Sequence, residues 1–157
     1  MFSIIAAIGK NRELGKKNGL IFHIPEDMRY FRDTTKGHAV VMGRNTWESL
    51  PGKLSERQNI VVSKTPAPDA DVTITNLNDY ISQHQHTPEE IFIIGGGMIY
   101  TAFLPYAKHL YLTEISASAP DADVFFPEFD KSKYVKNIIR KGSQDGLNYT
   151  FAKYILK

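Results

Sequence analysis

A chain of 157 residues, 42% hydrophobic and 23% charged, carries enough apolar material for one continuous core and is too evenly balanced for disorder. Its net charge of +2 comes from basic residues interspersed with acids, which argues against the dense basic face that nucleic acids require. The absence of cysteine excludes disulfides and thiol nucleophiles. The short apolar run at the start has no basic residue ahead of it, and no long apolar segment follows. The expectation is a cytoplasmic monomer with no leader, no membrane span and no nucleic-acid partner.

Residues 2–8 are apolar and stop at Gly9, the pattern of a strand buried on both faces. Residues 9–23 hold three glycines and an Asn18-Gly19 turn signal. They read as an irregular lid or binding loop, with a plain hairpin as the alternative. Pro25 opens a helix, Glu26 and Asp27 suit its positive end, and Gly37 suits its stop. A strand over 39–42 leads to a short helix over 44–50, ended by Pro51-Gly52. Strands follow at 59–63 and 72–75, a helix at 78–84 and a strongly apolar strand at 91–94. Gly95-Gly96-Gly97 opens a helix running to about Leu104, and 110–115 is a strand before a Pro/Asp/Ala loop over 116–123. Residues 134–140 and 149–156 read as a terminal antiparallel pair around GSQDG. Apolar strands alternating with helices predict a single α/β domain with a mainly parallel sheet, its C-terminal edge antiparallel, and helices on both faces.

In such sheets ligands bind beyond the carboxyl ends of the strands. Three segments stand there. The glycine run 95–97 lets backbone approach a ligand and offers N–H groups to a phosphate, although close strand-to-helix packing explains it equally well. In Met42-Gly43-Arg44-Asn45-Thr46-Trp47, Arg44 and Thr46 suit a phosphate; the alternative is a helix start with a surface arginine. On the third segment Asp27 shares a helical face with Phe31, with Met28 beside them. A carboxylate there either meets a ligand with paired N–H donors or merely favours the helix start. The basic clusters Lys16-Lys17 and Lys131, Lys133, Lys136, Arg140, Lys141 read as solvated faces. The five histidines show no metal-ligand spacing, so no metal is expected, and neither GxSxG nor a phosphate-loop motif occurs.

Seven segments in order, SIIAAIG, IPEDMRYFRDTT, VVMGRNTWESLP, RQNIVVS, IIGGGMIY, LYLTEI and ADVFFPEF, make the chain resemble dihydrofolate reductases of the bacterial chromosomal type over nearly its whole length. The resemblance implies an eight-stranded sheet, with an adenosine-binding subdomain at roughly 38–106 inside one unit spanning 1–157. It also implies NADPH as cofactor and reduction of 7,8-dihydrofolate to tetrahydrofolate for one-carbon metabolism.

Carried onto this sequence, the family's pattern makes Asp27 the partner of the pterin's N3 and 2-amino group, with Thr113 orienting it. Ile5, Ala6, Ala7, Met28, Phe31, Leu50, Leu54 and Ile94 join them around substrate, and Arg57 grips its glutamate α-carboxylate. NADPH falls to Ala7, Asn18, Leu20, Gly43, Arg44, Asn45, Thr46, Ile94, Gly95, Gly96, Gly97, Met98, Ile99 and Tyr100, with Arg44, Ser63 and Lys64 toward its 2′-phosphate. Asp27, Leu20, Phe22, Tyr100 and Thr113 form the catalytic set, and the Gly95-Gly96 bond is cis in the family. Residues 9–23 become the lid, braced by Asp123.

Three departures stand out. Leu20-Ile21-Phe22 occupies the place of the family's proline followed by tryptophan, so Phe22 has no indole N–H for the water near Asp27. Ile21 also loosens a rigid point of the lid. Met98 stands where some relatives carry an arginine toward the pyrophosphate, for which Lys64 compensates in part. Two rivals remain open at this point: a pyrimidine reductase of riboflavin synthesis, opposed by Asp27 and Arg57, and a nucleotide- or pterin-binding module without catalysis.

Overall fold

A computed structural model describes residues 1–16, 19–20 and 22–157, with Gly19 and Leu20 described by their backbone alone. The expectations at Asn18 and Ile21, and for the Leu20 side chain, lie outside these residues. The strands are β1 (Phe2–Ile8), β2 (Glu13–Lys16), β3 (Gly19–Leu20), β4 (Ala39–Gly43), β5 (Gln58–Val62), β6 (Val72–Ile74), β7 (Ile91–Gly95), β8 (Ala107–Ile115), β9 (Val124–Phe125), β10 (Tyr134–Gln144) and β11 (Leu147–Leu156). The helices are α1 (Pro25–Thr35), α2 (Arg44–Ser49), α3 (Leu77–His84) and α4 (Gly97–Phe103).

Eight strands make one sheet in the order β10-β11-β8-β1-β7-β4-β5-β6. Its pairings are parallel from β8 to β6, while β11 runs antiparallel to both β8 and β10. The α/β expectation, eight strands with flanking helices and an antiparallel C-terminal pair, is met. Within that pair β10 is the edge and β11 lies inside the sheet. The turn between them is Asp145-Gly146, both at positive φ (52° and 80°), the geometry whose twist matches a hairpin.

The continuous apolar runs have a physical cause. Successive side chains of a strand point to opposite faces, and both faces here are covered. Ile4, Val41 and Ile93 pack with Ile81 of α3 and Phe103 of α4, whereas Ile5, Val40, Met42 and Phe92 pack with Phe31 of α1 and Trp47 of α2. No helix among the described residues is long and apolar enough to cross a membrane.

Of the two expectations for the connection after β1, the hairpin alternative is met in part: β2 pairs antiparallel with β3, and with β9 on its other side. The Glu13-Leu14-Gly15-Lys16 sequence has no β-branched residue, so its strand character comes from pairing with chain more than a hundred positions away.

Candidate active site

Asp27 lies in the first turn of α1, after Pro25, and the Thr113 hydroxyl of β8 donates to its Oδ1 at 2.6 Å. Thr113 is itself buried. Burial pushes the Asp27 carboxyl above its ordinary range; the Thr113 bond opposes that rise and the charge of Glu26 adds to it. No donor among the described residues takes the other oxygen, Oδ2. The group therefore has an oxygen to offer to a paired N–H donor.

An apolar wall stands beside it. Ile5, Phe31, Leu50, Leu54 and Ile94 belong to one cluster with Tyr30 and Trp47. Ala7 joins a second cluster that includes Phe22, Ile24 and Phe151. Ala6 packs into the layer on the far side of the sheet, because it alternates with Ile5 and Ala7. Its side chain thus turns away from this wall. Met28 is 57% exposed and stands outside the cluster.

Arg57 is held rather than loose. Its Nε donates to the Ser55 carbonyl at 2.8 Å, its Nη1 to Thr35 Oγ1 at 3.0 Å, and the guanidinium lies 5.9 Å from the Phe31 ring centroid. Burial lowers its pKa somewhat. Asn59, fully buried, fixes the preceding turn by accepting from Leu54 N–H and donating to the Leu54 and Arg57 carbonyls, each at 2.9 Å. Nothing in the local sequence singled out Asn59, because its role exists only once the turn is folded.

A second group of candidate residues gathers where β4 and β7 end. The Gly95-Gly96 peptide is cis and Gly95 has φ +135°, a region L side chains rarely adopt. A Cβ on Gly95 would sit 3.4 Å from Thr46 Oγ1 and 3.5 Å from the Tyr100 hydroxyl, and one on Gly43 would sit 3.0 Å from Ile99 Cγ1. These contacts bring Gly43, Thr46, Gly95, Gly96, Ile99 and Tyr100 together. Tyr100 is buried and donates to the Ile5 carbonyl at 2.8 Å. Its phenol is pushed far up, first by burial and then by the charge of Asp27, so it stays neutral. Arg44 reaches Ser63 Oγ at 3.0 Å and Thr65 Oγ1 at 2.8 Å through Nη1, and Glu48 through Nε at 2.8 Å. Asn45, Lys64 and Met98 are exposed, the last at 88%. Gly97 packs against Val124 of β9.

The segment after β1 is fastened to the loop before β9. Asp123 N–H donates to the Gly15 carbonyl at 3.1 Å. Buried Glu13 accepts from Asn11 N–H at 2.7 Å and Ala119 N–H at 2.6 Å. Burial opposes ionisation of Glu13, but these backbone bonds prevail and hold its carboxyl below the usual range. The sequence reading credited this brace to Asp123 alone and missed Glu13. An acid between two loop glycines was the available signal.

The expectation of a solvated basic face at residues 131–141 is met, since Lys131, Lys133, Lys136, Arg140 and Lys141 are all exposed, and two of them also meet acids. Lys136 pairs with Glu114 at 2.7 Å and Arg140 with Glu26 at 2.9 Å. Strand pairing turns these cations toward acids distant in sequence. No group of three or more potential metal ligands occurs among the described residues.

Residues 1–156 match the family model described as dihydrofolate reductase. The chain is 40% identical to the dihydrofolate reductase of Bacillus subtilis, covering 98% of this chain and 94% of that protein. It is 39% identical to that of Neisseria gonorrhoeae, over 99% and 98% respectively. With that of Buchnera aphidicola it shares 37% identity over 95% of each.

Proposed function

The chain belongs to the dihydrofolate reductase family, and from that premise we propose that it reduces 7,8-dihydrofolate to tetrahydrofolate with NADPH, anchoring the pterin on Asp27. The observation that carries the residue assignment is the half-buried carboxylate with one oxygen bound by Thr113 and the other open to a ligand.

The residues fit a nicotinamide dinucleotide. Gly43, Gly95 and Gly96 stand close to Thr46, Ile99 and Tyr100 with no side chain between, which leaves their backbone free to meet a ligand, and residues 38–106 are read as the subdomain receiving the adenosine half. Arg44 and Ser63, 3.0 Å apart, support NADPH as the particular nucleotide, since a guanidinium beside a hydroxyl suits the 2′-phosphate. When bound, NADPH supplies the hydride that reaches C6 of the pterin.

Asp27 accepts the N3 and 2-amino donors, fixing the ring's orientation. It also stabilises the positive charge that develops as N5 gains its proton through water. Ile5, Phe31, Leu50 and Ile94 keep the ring face dry. Arg57 takes the glutamate α-carboxylate. Asp27 and Thr35, the residue that holds Arg57, stand eight positions apart on α1, about 12 Å along the helix at its ordinary rise. The two anchors therefore suit the two ends of an elongated substrate.

Loss of NADPH absorbance with dihydrofolate, measured for wild type and Asp27→Asn across pH, tests this reading. Turnover of the variant at pH 7 is expected to fall roughly 100-fold or more and to recover in acid, where substrate arrives protonated. Unchanged turnover at pH 7 would remove Asp27 from the mechanism.

A further inference from the structure

Glu26 immediately precedes Asp27, yet its side chain is engaged by the far end of the chain. Arg140 Nε of β10 donates to Oε2 at 2.9 Å and the Tyr149 hydroxyl of β11 to Oε1 at 2.7 Å. The site is shaped for this carboxylate. A Cβ at Gly142 would fall 2.7 Å from Glu26 Oε1 and collide with the Tyr149 ring. The guanidinium of Arg140 stacks 4.8 Å from the Phe151 centroid and 5.9 Å from that of Tyr30, rings that themselves lie 4.4 Å apart. A register shift between Ile138 and Arg140 accompanies this arrangement in β10.

We propose that the Glu26–Arg140 ion pair, completed by the Tyr149 hydroxyl, is a positioning unit for the reaction: it ties the C-terminal hairpin to the first turn of α1 and governs the charge that Asp27 faces. The inference rests on the reading of Asp27 as the pterin anchor.

Among the described residues, Asp27 faces Glu26 and Tyr30 on its own helix, Thr113 on β8 and Tyr100 on α4. Arg140 and Tyr149 are joined to this group by their bonds to Glu26, with Arg29 near Tyr149. Glu26 is thus the nearby anion that favours the protonated form of Asp27, and Arg140 is the cation that offsets it. The Arg140 side chain is half exposed, so the pair contributes little to stability. Its effect belongs to the charge balance at the site.

The test follows the Asp27 carboxyl carbon by NMR against pH in the ligand-free protein, alongside the pH profile of NADPH oxidation. Glu26→Gln is expected to lower the Asp27 midpoint by about half a pH unit, and Arg140→Met to raise it by a similar amount, the scale of one unit charge across several ångströms near a surface. The double variant is expected to return close to wild type, because the two opposed shifts add. Single-variant midpoints coincident with wild type, or both single variants moving the same way, would reduce the unit to an ordinary surface pair. The NMR titration requires no turnover, so a chain that failed to reduce dihydrofolate while showing these opposed shifts would refute the reaction and leave the charge unit standing.

Discussion

Asp27 places function and stability in opposition. A carboxyl whose proton affinity is raised by folding binds more protons folded than unfolded between its ordinary and raised values. Stability therefore declines as pH climbs through that window and stays reduced above it. Asp27→Asn is expected to raise the unfolding midpoint at pH 7 by a few degrees, with the gain vanishing below about pH 4, where both states carry the proton. Scanning calorimetry at the two pH values checks this. Phe22 offers a second residue-scale test. It packs beside Ala7 and Ile24 but, unlike tryptophan, has no N–H to donate toward the water proposed near Asp27. Phe22→Trp is expected to raise turnover up to about fivefold, the worth of one added hydrogen bond of ~1 kcal/mol, and the NADPH assay reads it. Asp27 was visible in the sequence because a carboxylate shared a helical face with Phe31. Thr113 came only through the family resemblance. Arg140 is exposed as expected, but its pairing with Glu26, 114 positions away, lay beyond any local pattern.

At the scale of elements, the segment after β1 depends on a buried acid. The Glu13 carboxylate is held ionised by backbone N–H groups, so its stabilisation is present above the ordinary carboxyl range and is lost as pH falls through the lowered value. Glu13→Gln turns an amide N–H₂ toward one of those N–H donors. The expected cost is roughly 1–3 kcal/mol in denaturant unfolding at pH 7, diminishing in acid. An equal effect at every pH would contradict the assignment. This element was poorly legible for the reason its strands exist: β2 is made by pairing with β9, and no propensity within residues 13–16 announces it. The hairpin β10–β11 was legible, since Asp145-Gly146 supplies the turn chemistry on the spot, although its first strand runs on to Gln144, beyond the expected end.

At the scale of the whole molecule, two groups of candidate residues stand apart, one on and around α1 and one at the carboxyl ends of β4 and β7. Alternating apolar strands and helices made this class of fold readable. Strand order was not, because crossovers leave no trace in composition. The proposed division of labour between the two groups predicts separable defects. Arg44→Ala is expected to raise the KM for NADPH roughly 10–100-fold, the loss of a charge-assisted contact, and to narrow the preference over NADH. The KM for dihydrofolate is expected to change little. Steady-state kinetics with both nucleotides checks this.

The most direct measurement is the dissociation constant of dihydrofolate for wild type and for Asp27→Asn at pH 7, followed by intrinsic fluorescence. If the half-buried carboxylate accepts two N–H donors of the pterin, as proposed, its replacement should weaken binding roughly 10–100-fold. Equal affinities would mean that the pterin does not rest on Asp27.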